Sequence, residues 1–351
     1  MSKFWSKRIH ELDPYTPGEQ PQDQQYIKLN TNENPYPPSP KAIEAMRSAA
    51  DESMRLYPDP NAKVLKRAIA EYYSLNENQV FVGNSSDEVL AHTFVALLKQ
   101  EKPLLFPDIS YSFYPAYCSL FGITSKWIPL DENFLIQAKD YEGENGGIIF
   151  PNPNAPSGIA LSLPEIEKIL KANPDSAVVV DEAYIDFGAD TAVPLIANYP
   201  NLLITQTFSK SRSLAGLRVG FALGQPELIE GLERVKNSFN SYPLDRAAIA
   251  GATASIQDKA YFEETCQKII ATRERTTASL ETMDFLVLPS KTNFVFAKPK
   301  SHDAELLYKQ LKESGILVRY FSEPRIDGFL RITIGTDSEM DTFLEKLDAM
   351  L

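Results

Sequence analysis

Short apolar runs, each followed by polar or charged residues and set apart by helical patterns, constrain this chain more than any other feature of its sequence. Val80-Phe81-Val82, Leu104 to Phe106, Ile148 to Phe150, Val178 to Val180, Leu202 to Thr205 and Val219 to Leu223 lack the clean apolar–polar alternation of a half-exposed strand. Strands buried on both faces read this way. Helical stretches separate several of them; Ser162 with Glu165, for example, should cap the run through Ile169 and Leu170. Strands alternating with helices indicate an α/β fold with a mainly parallel sheet. Ligands of such sheets gather at the carboxyl ends of the strands. Asp87, Tyr111, Asn154, Asp181 and Lys210 all sit just after these runs.

The flanking segments read differently. Residues 1–40, rich in proline and polar groups, are expected to form an irregular arm packing near the active site, with Phe4, Trp5 and Ile9 as anchors. Ser39 should cap a helix with Pro40 in its first turn and Ile43, Met46 and Ala50 on its inner face. Val64, Leu65, Ala68, Ile69 and Tyr72 mark a second helix. Gly83 to Glu88 follows the first strand, with Ser85 and Glu88 at capping-box spacing, and a helix start fed by a glycine turn is a ready anion site. Residues 41–259 are expected to form the large domain. From about 225 the pattern turns to long helices, and residues 260–351 then read as a smaller α+β domain ending strand, helix, strand, strand, helix.

Composition narrows the function. With 35 basic and 47 acidic residues the net charge is −12, which argues against general nucleic-acid or anionic-membrane binding but not against a local basic pocket. Cys118 and Cys266 form no CxxC or zinc pattern, and His10, His92 and His302 match no ligand pattern, so no metal site is assigned. No run reaches the roughly 18 apolar residues of a membrane helix, and MSKFWSKRIHELD has no signal-like apolar core. A reduced, cytoplasmic setting is the simplest expectation.

The chemistry concentrates in Ser209-Lys210-Ser211-Arg212-Ser213-Leu214-Ala215-Gly216-Leu217-Arg218. A lysine amine condenses with an aldehyde to a Schiff base. Hydroxyls and a guanidinium nearby can hold a phosphate. Pyridoxal 5′-phosphate (PLP) requires both, and wants an acid at its ring nitrogen. Asp181, in Val178-Val179-Val180-Asp181-Glu182-Ala183-Tyr184, closes another apolar run and supplies one.

The motif TFSKSRSLAGLRVG, with the others in order, resembles the fold-type I PLP-dependent aminotransferases over nearly the whole chain. Leu29-Asn30-Thr31-Asn32-Glu33-Asn34-Pro35, Pro14-Tyr15-Thr16-Pro17-Gly18 and Leu330-Arg331-Ile332-Thr333-Ile334-Gly335-Thr336 resemble the histidinol-phosphate aminotransferase branch. The resemblance implies that Lys210 bears the Schiff base and shuttles the proton, that Asp181 pairs with the pyridinium nitrogen, and that Tyr184 bonds the ring's phenolic oxygen. It implies a phosphate cup of Ser86, Asp87, Thr207, Ser209 and Arg218, Asp87 mainly through its backbone amide. Relatives often carry glycine where Ser85 stands. Tyr111, in preference to Tyr114, should stack on the ring. Relatives place an asparagine directly before the proline of PTG; here Ala155 fills that slot, and Asn154 is expected to take over. Arg331 should clamp a substrate anion, with Arg319, Tyr15 and Asn32 as further substrate contacts. Tyr57 should reach the cofactor phosphate of a partner subunit, which implies a homodimer with shared active sites. The implied reaction moves an amino group between L-histidinol phosphate and 2-oxoglutarate. Aromatic-amino-acid transamination and threonine-phosphate decarboxylation share this machinery and stay open at this point; a regulator built on the same fold would carry a basic helix-turn-helix, which is not seen.

Overall fold

A computed structural model of the chain describes residues 2–12, 14, 18–21 and 23–351. Its strands are β1 (Ile27–Lys28), β2 (Val80–Asn84), β3 (Leu104–Pro107), β4 (Ser125–Ile128), β5 (Ile148–Pro151), β6 (Val178–Asp181), β7 (Leu202–Thr207), β8 (Val219–Gly224), β9 (Phe285–Val287), β10 (Phe294–Pro299), β11 (Ile316–Leu317), β12 (Arg319–Tyr320) and β13 (Leu330–Thr333). The helices that matter here are α1 (Pro40–Ala49), α2 (Lys63–Tyr73), α3 (Ser85–Thr93), α4 (Phe113–Phe121), α5 (Leu163–Ala172), α6 (Pro226–Phe239), α7 (Arg246–Gln257), α8 (Lys259–Thr282), α9 (Ala304–Glu313) and α10 (Asp337–Asp348).

Seven strands form one sheet in the order β2-β8-β7-β6-β5-β3-β4. Pairs β7–β6, β6–β5, β5–β3 and β3–β4 are parallel, and β8 is antiparallel to both its neighbours. Side chains alternate across this sheet. Val80, Val82, Leu105, Ile148, Phe150, Val178 and Val180 enter one core, and Phe81, Leu104, Phe106, Ile149, Val179 and Leu203 enter the other. Both faces are therefore covered, which is why the runs show no polar alternation.

The order in the sheet puts the ends of β2, β3, β5, β6 and β7 along one edge, together with Arg218 at the start of the reversed β8. That edge carries the candidate site. A second sheet, β12-β13-β10-β9, is antiparallel and packs in its own core with α8, α9 and α10. The N-terminal segment joins this second layer: β1 pairs with β11 in parallel, Ile27 opposite Ile316, and Leu29 is buried there. A two-residue strand leaves no periodic signature, so the sequence did not announce it.

Local expectations met the structure unevenly. Ser39 Oγ accepts from the Lys41 N–H as a cap should, but Ala42 is the buried residue of α1 and Ala50 is exposed. Phe4, Trp5 and Ile9 are 86%, 49% and 43% exposed and, among the described residues, belong to none of the buried cores. Val64 points outward, while Leu65, Ala68 and Ile69 are buried. Ser162 stands at the N-cap of α5 without a side-chain bond. Glu88 does cap α3, accepting from the Asn84 N–H at 2.5 Å, one residue earlier than Ser85.

Candidate active site

Two adjoining cavities open at the strand ends, an inner one of about 160 Å³ and an outer one of about 340 Å³. Tyr111, Ala155, Tyr184 and Lys210 line both. Lys210 leaves the end of β7, and its Nζ donates to the Thr31 carbonyl at 3.2 Å, 5.8 Å from the Tyr184 ring centroid. Its backbone is held from both sides. Asn34 donates to the Lys210 carbonyl at 3.0 Å, and Ser211 Oγ donates to the half-buried Asp186.

Asp181 ends β6 at the floor of the inner cavity and is buried. Burial pushes its carboxyl up to about 6, although the Tyr114 hydroxyl donates to Oδ2 at 3.1 Å and the Thr205 hydroxyl to Oδ1 at 3.2 Å. It forms no ion pair among the described residues, and a dry carboxylate without a cation is costly. The floor thus suits a ligand that brings an N–H⁺. Tyr114 was weighed only as an alternative to Tyr111 for stacking, and neither it nor Thr205 was expected beside Asp181; the fold buries Tyr114 against Asp181 while Tyr111 lines the cavities. Next to Asp181, Glu182 takes the Ala192 N–H, Thr191 Oγ1 and Gln206 Nε2 within 2.8 Å and is pushed up to about 7 by burial. It ties β6 to β7 and to the loop at 191, out of both cavities.

The rest of the inner cavity is lined by hydroxyls and by Arg218, which is paired with Asp87. Ser86, Thr207, Ser209 and Arg218 line it beside the N-terminus of α3. Ser85 and Arg218 both adopt left-handed backbone, φ +70° and +56°, and the Ser85 N–H donates to the Arg218 carbonyl at 2.9 Å. Ser85 therefore occupies a left-handed conformation that favours glycine. Gly220 crosses beneath; a Cβ there would lie 2.3 Å from Ser86 N. Asp87 differs from expectation. Its N–H is taken by Ser85 Oγ at 3.1 Å, while its carboxylate accepts from Arg218 Nη2 at 2.6 Å and Tyr111 Oη at 3.2 Å. It orients the arginine and the aromatic ring rather than offering an amide.

Asn154 is another departure. It is buried but lines neither cavity; its Nδ2 donates to the Ile109 carbonyl and to Ser157 Oγ at 3.1 and 3.0 Å. Ala155 occupies the wall. The loop turns through cis bonds at Asn152–Pro153 and Ala155–Pro156. Tyr57 is 79% exposed, stacked on Tyr242 at 4.8 Å, and lines neither cavity of its own chain.

The outer cavity carries a second cationic end. Arg319 on β12 and Arg331 on β13 are direct cross-strand partners and both line it. Arg331 Nη2 donates to the Asn30 carbonyl at 3.0 Å, and its guanidinium lies 5.3 and 5.5 Å from the Phe294 and Phe321 rings. Arg319 lies 5.4 Å from Phe321. Asn32 lines this cavity, yet its side chain bonds Tyr184 and Thr333. Tyr15 lies outside the described residues.

Comparison with known proteins agrees with this chemistry. Residues 24–347 match the aminotransferase class I and II family. Histidinol-phosphate aminotransferase 1 of Pseudomonas fluorescens is 60% identical over 347 residues, 99% of each chain. That of Hydrogenovibrio crunogenus is 60% identical over 351 residues, covering 100% of this chain and 99% of the other. A crystal structure of histidinol-phosphate aminotransferase from Sinorhizobium meliloti, in complex with pyridoxal-5′-phosphate, superposes with a TM-score of 0.88 at 23% identity, covering 100% of this chain and 99% of the other. Its fold is therefore that of the fold-type I aminotransferases, and the chain belongs to the class I and II aminotransferase family, within its histidinol-phosphate aminotransferase branch.

Proposed function

We propose that this chain binds PLP in the inner cavity and transfers an amino group between L-histidinol phosphate and 2-oxoglutarate, giving imidazole-acetol phosphate and glutamate, with histidine biosynthesis running the reaction in reverse. The observation that carries this reading is the pair of cationic ends on either side of Lys210. Arg218 with Ser86, Thr207 and Ser209 suits one phosphate, and Arg319 opposite Arg331 suits another anion. When bound, PLP supplies an electrophilic carbon and a ring that accepts an electron pair from the substrate's α-carbon.

The side chains do the rest. Lys210 Nζ would take the proton from the substrate α-carbon and carry it across the shared nitrogen, a movement its flexible stem permits. Asp181 holds a proton at the ring nitrogen, which answers its unpaired buried charge. Tyr184 would donate to the ring's phenolic oxygen, and Tyr111 would cover the ring face. Arg331 and Arg319 grip the phosphate of one substrate or a carboxylate of the other with fork-shaped donors. Asn154 has its amide engaged elsewhere, so we assign the phenolic oxygen to Tyr184 alone. The exposed Met54, Leu56, Tyr57 and Tyr242 support a homodimer in which Tyr57 reaches the partner's inner cavity.

The test is turnover of histidinol phosphate with 2-oxoglutarate by the parent and by Lys210→Ala. Undiminished turnover in the variant, without added amine, would sink the assignment of Lys210. Turnover of phenylalanine equal to that of histidinol phosphate would move the substrate to the aromatic amino acids and leave the cofactor chemistry standing.

A further inference from the structure

A chain of hydrogen bonds runs from β13 to Tyr184. The Asn32 N–H can only donate, and it does so to Thr333 Oγ1 at 3.0 Å. The Thr333 hydroxyl in turn donates to Asn32 Oδ1, also at 3.0 Å. That contact decides which end of the Asn32 amide is oxygen. Nδ2 therefore faces Tyr184 and donates to its hydroxyl oxygen at 2.9 Å. An amide nitrogen accepts nothing, so the Tyr184 proton has to go elsewhere. Asn32 and Thr333 are each 2% exposed, which keeps water from scrambling the chain of donors. The Asn32 backbone is fixed as well: φ is +56°, and Asn293 Nδ2 donates to its carbonyl at 3.0 Å.

We propose that Thr333 and Asn32 are positioning residues that compel Tyr184 to donate its proton into the cavity, toward the phenolic oxygen of the bound cofactor. This rests on the PLP reading above and gives Asn32 a role other than substrate contact. Thr333 lies two residues after Arg331 on the same strand, so the strand that carries the substrate arginine also sets the proton of the cofactor tyrosine.

The test is the pH dependence of the visible absorption of the PLP-loaded protein. A donor at the phenolic oxygen favours its charged form and holds the midpoint down. Tyr184→Phe should raise that midpoint by about one to two units. Thr333→Val should raise it partway, and Thr333→Ser should leave it as in the parent. Asn32→Asp reverses the polarity. An ionised carboxylate only accepts, so Tyr184 would turn toward it and the midpoint should rise as far as in Tyr184→Phe. Aspartate tolerates the left-handed backbone, so this variant carries the test if Thr333→Val folds poorly. Asn32→Asp should add little in the Tyr184→Phe background; full additivity would mean that the carboxylate acts by charge alone and would overturn the relay. A shift in Tyr184→Phe with none in Asn32→Asp or Thr333→Val would overturn the relay and leave the role of Tyr184 intact. No shift in Tyr184→Phe would remove both.

Discussion

Replacing Asp181 by asparagine should stabilise the cofactor-free protein above neutral pH while removing its activity. Burial lifts the Asp181 carboxyl from an ordinary 3.8 to about 6. The folded chain thus holds this proton more tightly than the unfolded chain. Below pH 3.8 both states are protonated and the group is neutral in the balance. As pH rises through the window from 3.8 to about 6 the unfolded chain ionises first, so stability falls, and the full cost persists above it. Two units at about 1.4 kcal/mol each give a cost of about 3 kcal/mol. An asparagine amide carries no charge to desolvate, and the Tyr114 and Thr205 hydroxyls can rotate to meet its nitrogen or oxygen. Part of the gain is lost in imperfect bonding, leaving about 1–3 kcal/mol. The assay is denaturant unfolding of cofactor-free parent and variant across about pH 4 to pH 8. Glu182, lifted to about 7, is common to both, so their difference isolates Asp181. A variant whose stability shows the parent's dependence on pH, or one less stable near pH 8, would refute the reasoning.

Three further outcomes follow from the same geometry. Gly220→Ala would place a Cβ 2.3 Å from Ser86 N and 2.5 Å from Ser85 C, where ordinary contact begins near 3.4 Å. The anion-binding backbone must shift by about 1 Å, and cofactor affinity, read by absorbance titration, should fall by at least roughly tenfold. Ser85→Ala keeps the left-handed strain and loses the bonds to Asp87, whereas Ser85→Gly relieves the strain; the glycine variant should be the more stable of the two by about 1 kcal/mol in denaturant unfolding. Arg331→Lys removes the fork and should raise KM for histidinol phosphate by about ten- to a hundredfold with a smaller change in kcat, as steady-state kinetics would show.

The fold was legible because buried parallel strands leave uninterrupted apolar runs, as at Val178–Val180, and because the candidate site residues sit at their ends. Lys210, Asp181, Tyr184, Thr207, Ser209 and Arg218 could be found from spacing and resemblance, and the fold gathers them around one cavity. What the sequence hid was the wiring between distant segments. Thr333 and Asn32 are 301 residues apart, and Tyr114 meets Asp181 across 67. No local pattern encodes such pairs. Asn154 and Asp87 differ in another way: bonds to Ile109, Ser157 and Ser85 take up the groups expected to face a ligand. Phe4 and Trp5 read as anchors because apolarity alone does not say how deeply a side chain is covered.

The most direct test of the central claim is a half-reaction. PLP-loaded protein should receive L-histidinol phosphate with no keto acid present, while its visible absorption is followed. Loss of that absorption, restored by 2-oxoglutarate, is the result expected for amino-group transfer from this substrate. Absorption indifferent to histidinol phosphate but bleached by phenylalanine or tyrosine would contradict the substrate. Protein that takes up no PLP at all would contradict the assignment of the inner cavity and Lys210.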